Sequence, residues 1–363
     1  MTRSKRTYLD WNATAPLRPE ARQAMLAAMD VVGNPSSIHT EGRAATAVVE
    51  RARAQVAEAL GCKPTEVIFT SGATEAASVL RHRPAGCDVM VQETAHDCLF
   101  AHFDLSNVAE RPDGPGHTLA MGLANSETGV ITEPPERDAD GLLPYGARRA
   151  NFLLLDVVQA VGRIPFAFGW SGADMAIVSA HKIGGPKGVG ALILRENLDI
   201  EPLAVGGGQE MGRRSGTENV VGIAGFGAAA KAAMTDLEQG AWDRVAEIRD
   251  SLAQRLVNGA PDAILIGQDK PRLPNTICLA VPGWKGETQV MQMDLAGFAV
   301  SAGSACSSGK VKTSRVLKAM GYDDMTAASA VRVSIGPQTT KAEASAFADA
   351  WLRQYEKYRA RAA

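Results

Sequence analysis

The chain has 363 residues, 45% of them apolar and 21% charged, which is enough for a sizeable core and, by length, for two domains. Its 38 basic and 40 acidic side chains leave a net charge of -2, with no basic excess to grip phosphate backbones, so no direct nucleic-acid partner is expected. Five cysteines at irregular spacings form no CxxC pair, which argues against a disulfide framework or a metal site and for a reducing, cytoplasmic setting. Met1 to Asp10 lacks the apolar run of a signal peptide, and Val220 to Ala230 reads as too short and too glycine-rich to cross a bilayer, so no membrane role is expected.

Along the chain, Ala44 to Leu60 reads as a helix stopped by Gly61. Glu66 to Thr70, between Pro64 and Gly72, reads as a strand, and Thr74 and Glu75 open a helix. Asn151 to Asp156, Asp174 to Ser179 and Val189 to Leu194 are short runs apolar on both faces. Such runs are the mark of buried strands in a mostly parallel sheet, so the fold class is α/β with helices on both faces. Leu237, Val245, Ile248, Leu252 and Leu256 fall at helical spacing and predict one long amphipathic helix ending at Asn258-Gly259. Beyond it the texture changes to α+β, with strands at Thr276 to Val281 and Val331 to Ile335. A capping box, Thr340-x-x-Glu343, opens the last helix. A domain change is expected near residue 240.

Five places carry chemistry. Ser71-Gly-Ala-Thr-Glu75 exposes backbone N–H groups between a strand and a helix, as a phosphate cradle does and as an ordinary turn also does. Asp156 ends a very apolar strand, where a carboxylate can hold a protonated pyridine or a ribose hydroxyl, or simply cap the next helix. Ser179-Ala-His181-Lys182 ends another strand before Gly184-Gly-Pro-Lys-Gly188. A lysine crowded there loses proton affinity and becomes an amine nucleophile, whereas a solvated one does not. Gly206 to Thr217 is a polar, basic loop suited to an anion or a partner subunit, or a plain surface loop. Ser301 to Gly309 surrounds Cys306 with Ser, Ala and Gly, the surroundings of an accessible thiol; the other four cysteines read as packing residues.

Taken in order, Tyr8-Leu-Asp-Trp-Asn-Ala-Thr-Ala-Pro16, Gly33-Asn-Pro-Ser-Ser-Ile-His39, Ser71 to Glu75, Asp156-x-x-Gln159 with Ser179-x-His-Lys182, and Ser301 to Gly309 form one pattern. The chain resembles the NifS/IscS-type cysteine desulfurases, pyridoxal 5'-phosphate enzymes of the class V aminotransferase superfamily. The resemblance implies fold type I, with a mostly parallel, seven-stranded-type sheet in a large cofactor domain at 13–240. A small α+β domain, 1–12 and 241–363, would carry the catalytic cysteine loop. It implies that Lys182 forms the Schiff base, Asp156 bonds the pyridine nitrogen, His96 stacks on the ring and handles the thiol proton, and Gln159 bonds the 3'-oxygen. Ala73, Thr74, Ser179 and His181 would hold the phosphate, and Thr217 would reach the phosphate of the other subunit of a homodimer. Arg332 would fix the substrate carboxylate, with Asn34 and Asn125 also at the substrate. Cys306 would take the sulfur of L-cysteine as a persulfide and pass it to an acceptor protein, a scaffold or a thiolation enzyme. Another class V activity (selenocysteine lyase, aminotransferase or β-lyase) and a degenerate sulfur-relay scaffold are the alternatives.

The pattern has departures. Asn125-Ser126-Glu127 has Ser126 where the family has a second asparagine that approaches the ring oxygen. Ala77 and Ser78 replace an asparagine, Gln209 replaces a histidine, and the stretch between His96 and Asn125 is short.

Overall fold

The computed structural model describes residues 6–82, 88–103, 117–303 and 313–362. The chain divides into two compact units, Ala15–Leu123 with Glu133–Glu238, and Met1–Thr14 with Ala124–Thr132 and Gln239–Ala363.

In the first unit, β1 (Val67–Thr70), β2 (Val89–Val91), β3 (Thr118–Gly122), β4 (Phe152–Asp156), β5 (Met175–Ser179) and β6 (Gly190–Leu194) form one sheet in the order β1-β6-β5-β4-β3-β2. Only β6 runs against its neighbours; the other five strands share a direction. The short helices α3 (Ala73–Ala77) and α4 (Asp97–Phe100) follow β1 and β2. Ile68, Leu154, Ile177 and Leu192 are fully buried with Val79 and Leu99 in one apolar cluster, and each such side chain contributes about 1.5–3 kcal/mol. Among the described residues the sheet has six strands rather than the seven expected.

Three longer helices pack together in this unit: α1 (Pro19–Met29), α2 (Thr40–Leu60) and α5 (Val220–Glu238). Gly61 ends α2 in the left-handed conformation, φ 61°, as its sequence predicts. A Cβ on Gly227 of α5 would lie 2.6 Å from the Cα of Ala52 on α2, so the two backbones meet directly. By length and composition α5 is long and apolar enough to cross a membrane, which corrects the reading of Val220 to Ala230 as too short; half of that stretch is buried within the unit.

The second unit begins with α6 (Ala241–Gly259), which is separate from α5. Gly240 adopts a left-handed φ of 68° and breaks the helix predicted from Leu237 onward, so Leu237 belongs to α5. Strands β7 (Ile264–Leu265), β8 (Thr276–Ala280), β9 (Ser301–Ala302) and β10 (Ala330–Ser334) form an antiparallel sheet in the order β7-β8-β10-β9. Helices α7 (Gly286–Leu295), α8 (Arg315–Ala319), α9 (Asp324–Ala328) and α10 (Lys341–Ala362) complete it. The capping box at the start of α10 is formed in both directions, Glu343 N–H to Thr340 Oγ1 at 3.2 Å and Thr340 N–H to Glu343 Oε2 at 2.9 Å. The mid-chain segment Ala124–Thr132 joins this unit through the N–H of Ile131, which donates to the carbonyl of Pro271 at 2.8 Å.

Candidate active site

Because β1, β4 and β5 share a direction, their last residues, Thr70, Asp156 and Ser179, lie along one edge of the sheet, where open α/β sheets bind ligands. β6 enters from that edge, with Gly190 in register with both Thr70 and Ser179. A Cβ on Gly190 would sit 2.5 Å from the carbonyl oxygen of Val178 and 2.7 Å from the Cα of Gly72. Glycine is therefore required, and its absence of side chain brings the turn after β1 against the end of β5. Ala73 and Thr74 form the first turn of α3 there, Thr74 exposed and Ser179 buried.

Asp156 is almost wholly buried. Burial raises its carboxyl above the ordinary carboxylate range. The positive potential of His96 and Lys182 and the N–H of Val158, 2.9 Å from Oδ1, work the other way without overcoming it. His96 caps α4, its Nδ1 accepting the N–H of Cys98 at 3.1 Å, which assigns the ring proton to Nε2. Lys182 closes the turn Ala180–Lys182 that follows β5. Beside it, burial and then the charges of Lys182 and Lys187 push His181 down to about 4, so this imidazole is neutral at physiological pH. The structure thus brings Asp156, His96, Lys182 and His181 together.

Gln159 follows β4 in a helical turn, and its Oε1 accepts from Nη1 of buried Arg163 at 2.6 Å. Nη2 of the same guanidinium donates to the carbonyl of Lys182 at 3.2 Å. Arg163 was not among the predicted residues; its spacing of four from Gln159 is the signal that could have found it.

Two further ion pairs, both missed in the sequence, build the loop that carries Thr217. Buried Glu210 takes both Nη atoms of Arg53 at 2.8 Å and the N–H of Phe69 at 2.8 Å. Glu210 and Met211 have φ of 47° and 58°, a left-handed pair costing about 1–3 kcal/mol per residue that this anchor holds in place. Arg214 donates to Glu75 at 2.8 Å; burial works to raise the Glu75 carboxyl, but the hydrogen bonds from Arg214 and Ser71 outweigh it and hold it low. Gln209 accepts from Gly216 N–H at 3.0 Å, bracing the same loop, and Thr217 is exposed. Asn34 is exposed and uses its Oδ1 on the N–H of Ser36 at 2.9 Å, a local turn.

In the second unit the register of β9 with β10 sets Ser301 beside Arg332. Arg332 Nη2 donates to Asp10 Oδ1 at 2.7 Å, Ser301 Oγ donates to Asp10 Oδ2 at 2.8 Å, and Arg332 Nη1 donates to the carbonyl of Ser126 at 3.1 Å. The Nε of Arg332 is buried with no hydrogen-bond partner. Ser126 thus meets Arg332 through its backbone. Asn125, expected at the substrate, spends its Oδ1 on the N–H groups of Glu127 and Thr128 at 2.9 Å each, which shapes the turn. Ser314 Oγ donates to Glu127 Oε2 at 2.6 Å and caps α8.

The family model described as Aminotransferase class-V matches residues 7–101 and 102–347. The chain belongs to that family. It is 38% identical over 368 residues to a cysteine desulfurase of Cereibacter sphaeroides, with 93% of each chain covered. It is 34% identical to the cysteine desulfurase IscS of Dictyoglomus turgidum, covering 98% of this chain and 96% of the relative. A NifS-like protein of Rickettsia africae has the same fold, with a TM-score of 0.83 at 28% identity and 97% and 99% of the two chains covered. The activity is that of a pyridoxal 5'-phosphate-dependent cysteine desulfurase, acting on L-cysteine and passing sulfur to an acceptor protein.

The residues of the large unit fit that cofactor chemically. A carboxyl raised by burial gains most from a cationic ring nitrogen, and an amide whose oxygen is bound to Arg163 turns its donor end elsewhere. For a desulfurase the thiols matter equally. Burial, reinforced by Glu66, pushes Cys62 up to about 12; burial likewise raises Cys98 and Cys278, so all three stay protonated at neutral pH. Cys87 and Cys306 lie outside the described residues.

Proposed function

We propose that the cofactor lies along the carboxyl edge of the large unit's sheet, and that the enzyme works as a cytoplasmic homodimer without membrane attachment. The observation that carries this reading is the buried Asp156 facing His96 and Lys182 from the end of β4. When bound, pyridoxal phosphate accepts electron density from the α-carbon of the substrate. Lys182 would hold it through its amine and is the base placed to move the α-proton. Asp156 would hold the proton of the ring nitrogen, His96 would lie against the ring, and Gln159 would donate to the ring hydroxyl oxygen. Ala73, Thr74, Ser179 and His181 hold the phosphate, with Thr217 contributing across the dimer. Neutral His181 suits that place because it donates without adding charge.

Arg332 grips the substrate carboxylate through its fork. The Cys306 thiolate then attacks the substrate sulfur. An S–S bond forms as the C–S bond breaks, and proton return to carbon leaves alanine and an enzyme persulfide. The high proton affinities of Cys62, Cys98 and Cys278 favour Cys306 for this step. The large unit is the cofactor domain, and the small one carries Arg332 and the cysteine segment.

The test measures alanine and sulfide together, with a reductant present, from wild type and Cys306→Ala. Equimolar products from wild type and none from the variant are expected. Full turnover by Cys306→Ala overturns the persulfide step.

A further inference from the structure

Arg163 is a buried cation on the turn after β4, and neither the cofactor contacts nor the substrate contacts proposed above use it. It is 2% exposed and Gln159 is 4% exposed. The turn holds them on one face. Ala160 and Val161 donate to the carbonyl of Val157 at 3.0 Å, and Arg163 N–H donates to Ala160 at 3.0 Å, so the turn brings Arg163 back to Gln159. Gly162 seats the turn on α5, with φ 71° and a Cβ position that would lie 2.8 Å from Ala233.

A guanidinium has five donors and no acceptor, so only the oxygen end of an amide can face it. The contact from Arg163 Nη1 to Gln159 Oε1, 2.6 Å, therefore decides which way the Gln159 amide points. The second contact, Nη2 to the carbonyl of Lys182 at 3.2 Å, ties the same cation to the backbone of the tethering lysine. One side chain thus sets the polarity of one ligand contact and the backbone position of another.

We propose that Arg163 is a positioning residue that fixes the Gln159 amide with its N–H end toward the cofactor's ring hydroxyl oxygen and holds the Lys182 turn in register with it. This rests on the cofactor placement proposed above. Arg163 touches neither substrate nor reacting atoms; it acts through Gln159 and Lys182. A donor on the ring oxygen stabilises its anionic form and lowers the basicity of the neighbouring nitrogen, so loss of that donor moves the pH midpoint of the cofactor's visible band upward.

The experiment titrates that band in substrate-free holoenzyme for wild type, Arg163→Met, Arg163→Lys, Gln159→Ala and the Arg163→Met/Gln159→Ala double variant. Arg163→Met is expected to raise the midpoint by about half a pH unit or more, in the same direction as Gln159→Ala. The double variant moves it no further than Gln159→Ala alone, and Arg163→Lys restores part of the shift. An unchanged midpoint in Arg163→Met, or shifts that add in the double variant, overturns the proposal. Gln159→Glu gives a reading that does not depend on Arg163→Met folding. A carboxylate facing Arg163 pairs with it, so this variant melts at or above Gln159→Ala, and a lower Tm overturns the contact. Wild type that takes up no pyridoxal phosphate overturns the cofactor placement as well; uptake with an unchanged midpoint overturns the role of Arg163 alone.

Discussion

Two aspartates, one in each unit, sit in opposite electrostatic settings, Asp10 partly buried and Asp156 almost wholly so. Asp10 meets Arg332 in a closed ion pair, backed by Ser301 and, on the arginine, by the Ser126 carbonyl. Asp156 has His96 and Lys182 near it, yet burial still drives its carboxyl toward protonation. The first setting is neutralised within the fold, so a carboxylate bound as proposed would share a guanidinium that Asp10 already holds. The second carries a desolvation cost that a cationic ligand relieves. A charged group that lowers the stability of the protein alone is thus the one that gains most from a ligand, whereas the other serves as framework.

The comparison breaks most plainly on activity. Asp156→Asn removes the anion while keeping an acceptor for Val158, and alanine formation is expected to fall by roughly 10²–10³-fold at saturating pyridoxal phosphate. A rate within about twofold of wild type removes Asp156 from the site. Arg332→Lys keeps the charge and loses the fork; kcat/KM is expected to drop about 10–100-fold, chiefly through KM, as steady-state kinetics will show.

Stability should separate the two aspartates by sign. Asp10→Asn strands the buried Arg332 and is expected to cost the fold about 3–5 kcal/mol in denaturant titration. In cofactor-free protein at neutral pH, Asp156→Asn is expected to raise Tm, because a carboxyl whose folded pKa is raised penalises folding above its unfolded value. A lowered Tm in both variants would erase the distinction. The smallest effect belongs to His181. Its folded value of about 4 lies below the ordinary 6.5, so the unfolded chain takes up its proton first and stability is lost as pH falls between those values. His181→Gln is expected to flatten that slope in pH-dependent melts, by a modest amount because the ring is partly exposed.

Much of the fold was legible because local signals agreed with it. Gly61 ends its helix, Thr340 and Glu343 cap theirs, and the apolar runs ending at Asp156 and Ser179 are strands. The break at Gly240 was hidden because the apolar spacing runs on across it while the backbone turns left-handed. The candidate site was legible where a residue type and its place at a strand end coincide, as for Asp156 and Lys182. Long-range pairs were not: Arg53 with Glu210 and Asp10 with Arg332 join residues far apart in sequence, and nothing local marks either partner. Asn125 carries a part its motif did not signal, since its oxygen shapes the turn through Glu127 and Thr128.

The glycine-lined seam between α2 and α5 bears on how the chain comes off the ribosome. Helix α2 ends at Leu60, and the helix its backbone is shaped to meet begins at Val220. At synthesis rates of about 5–20 residues per second, α1 and α2 emerge on the order of ten seconds before α5. Through that interval the faces of α1 and α2 that meet α5 have no native cover, so this part of the large unit's packing closes only after the chain to Glu238 is made.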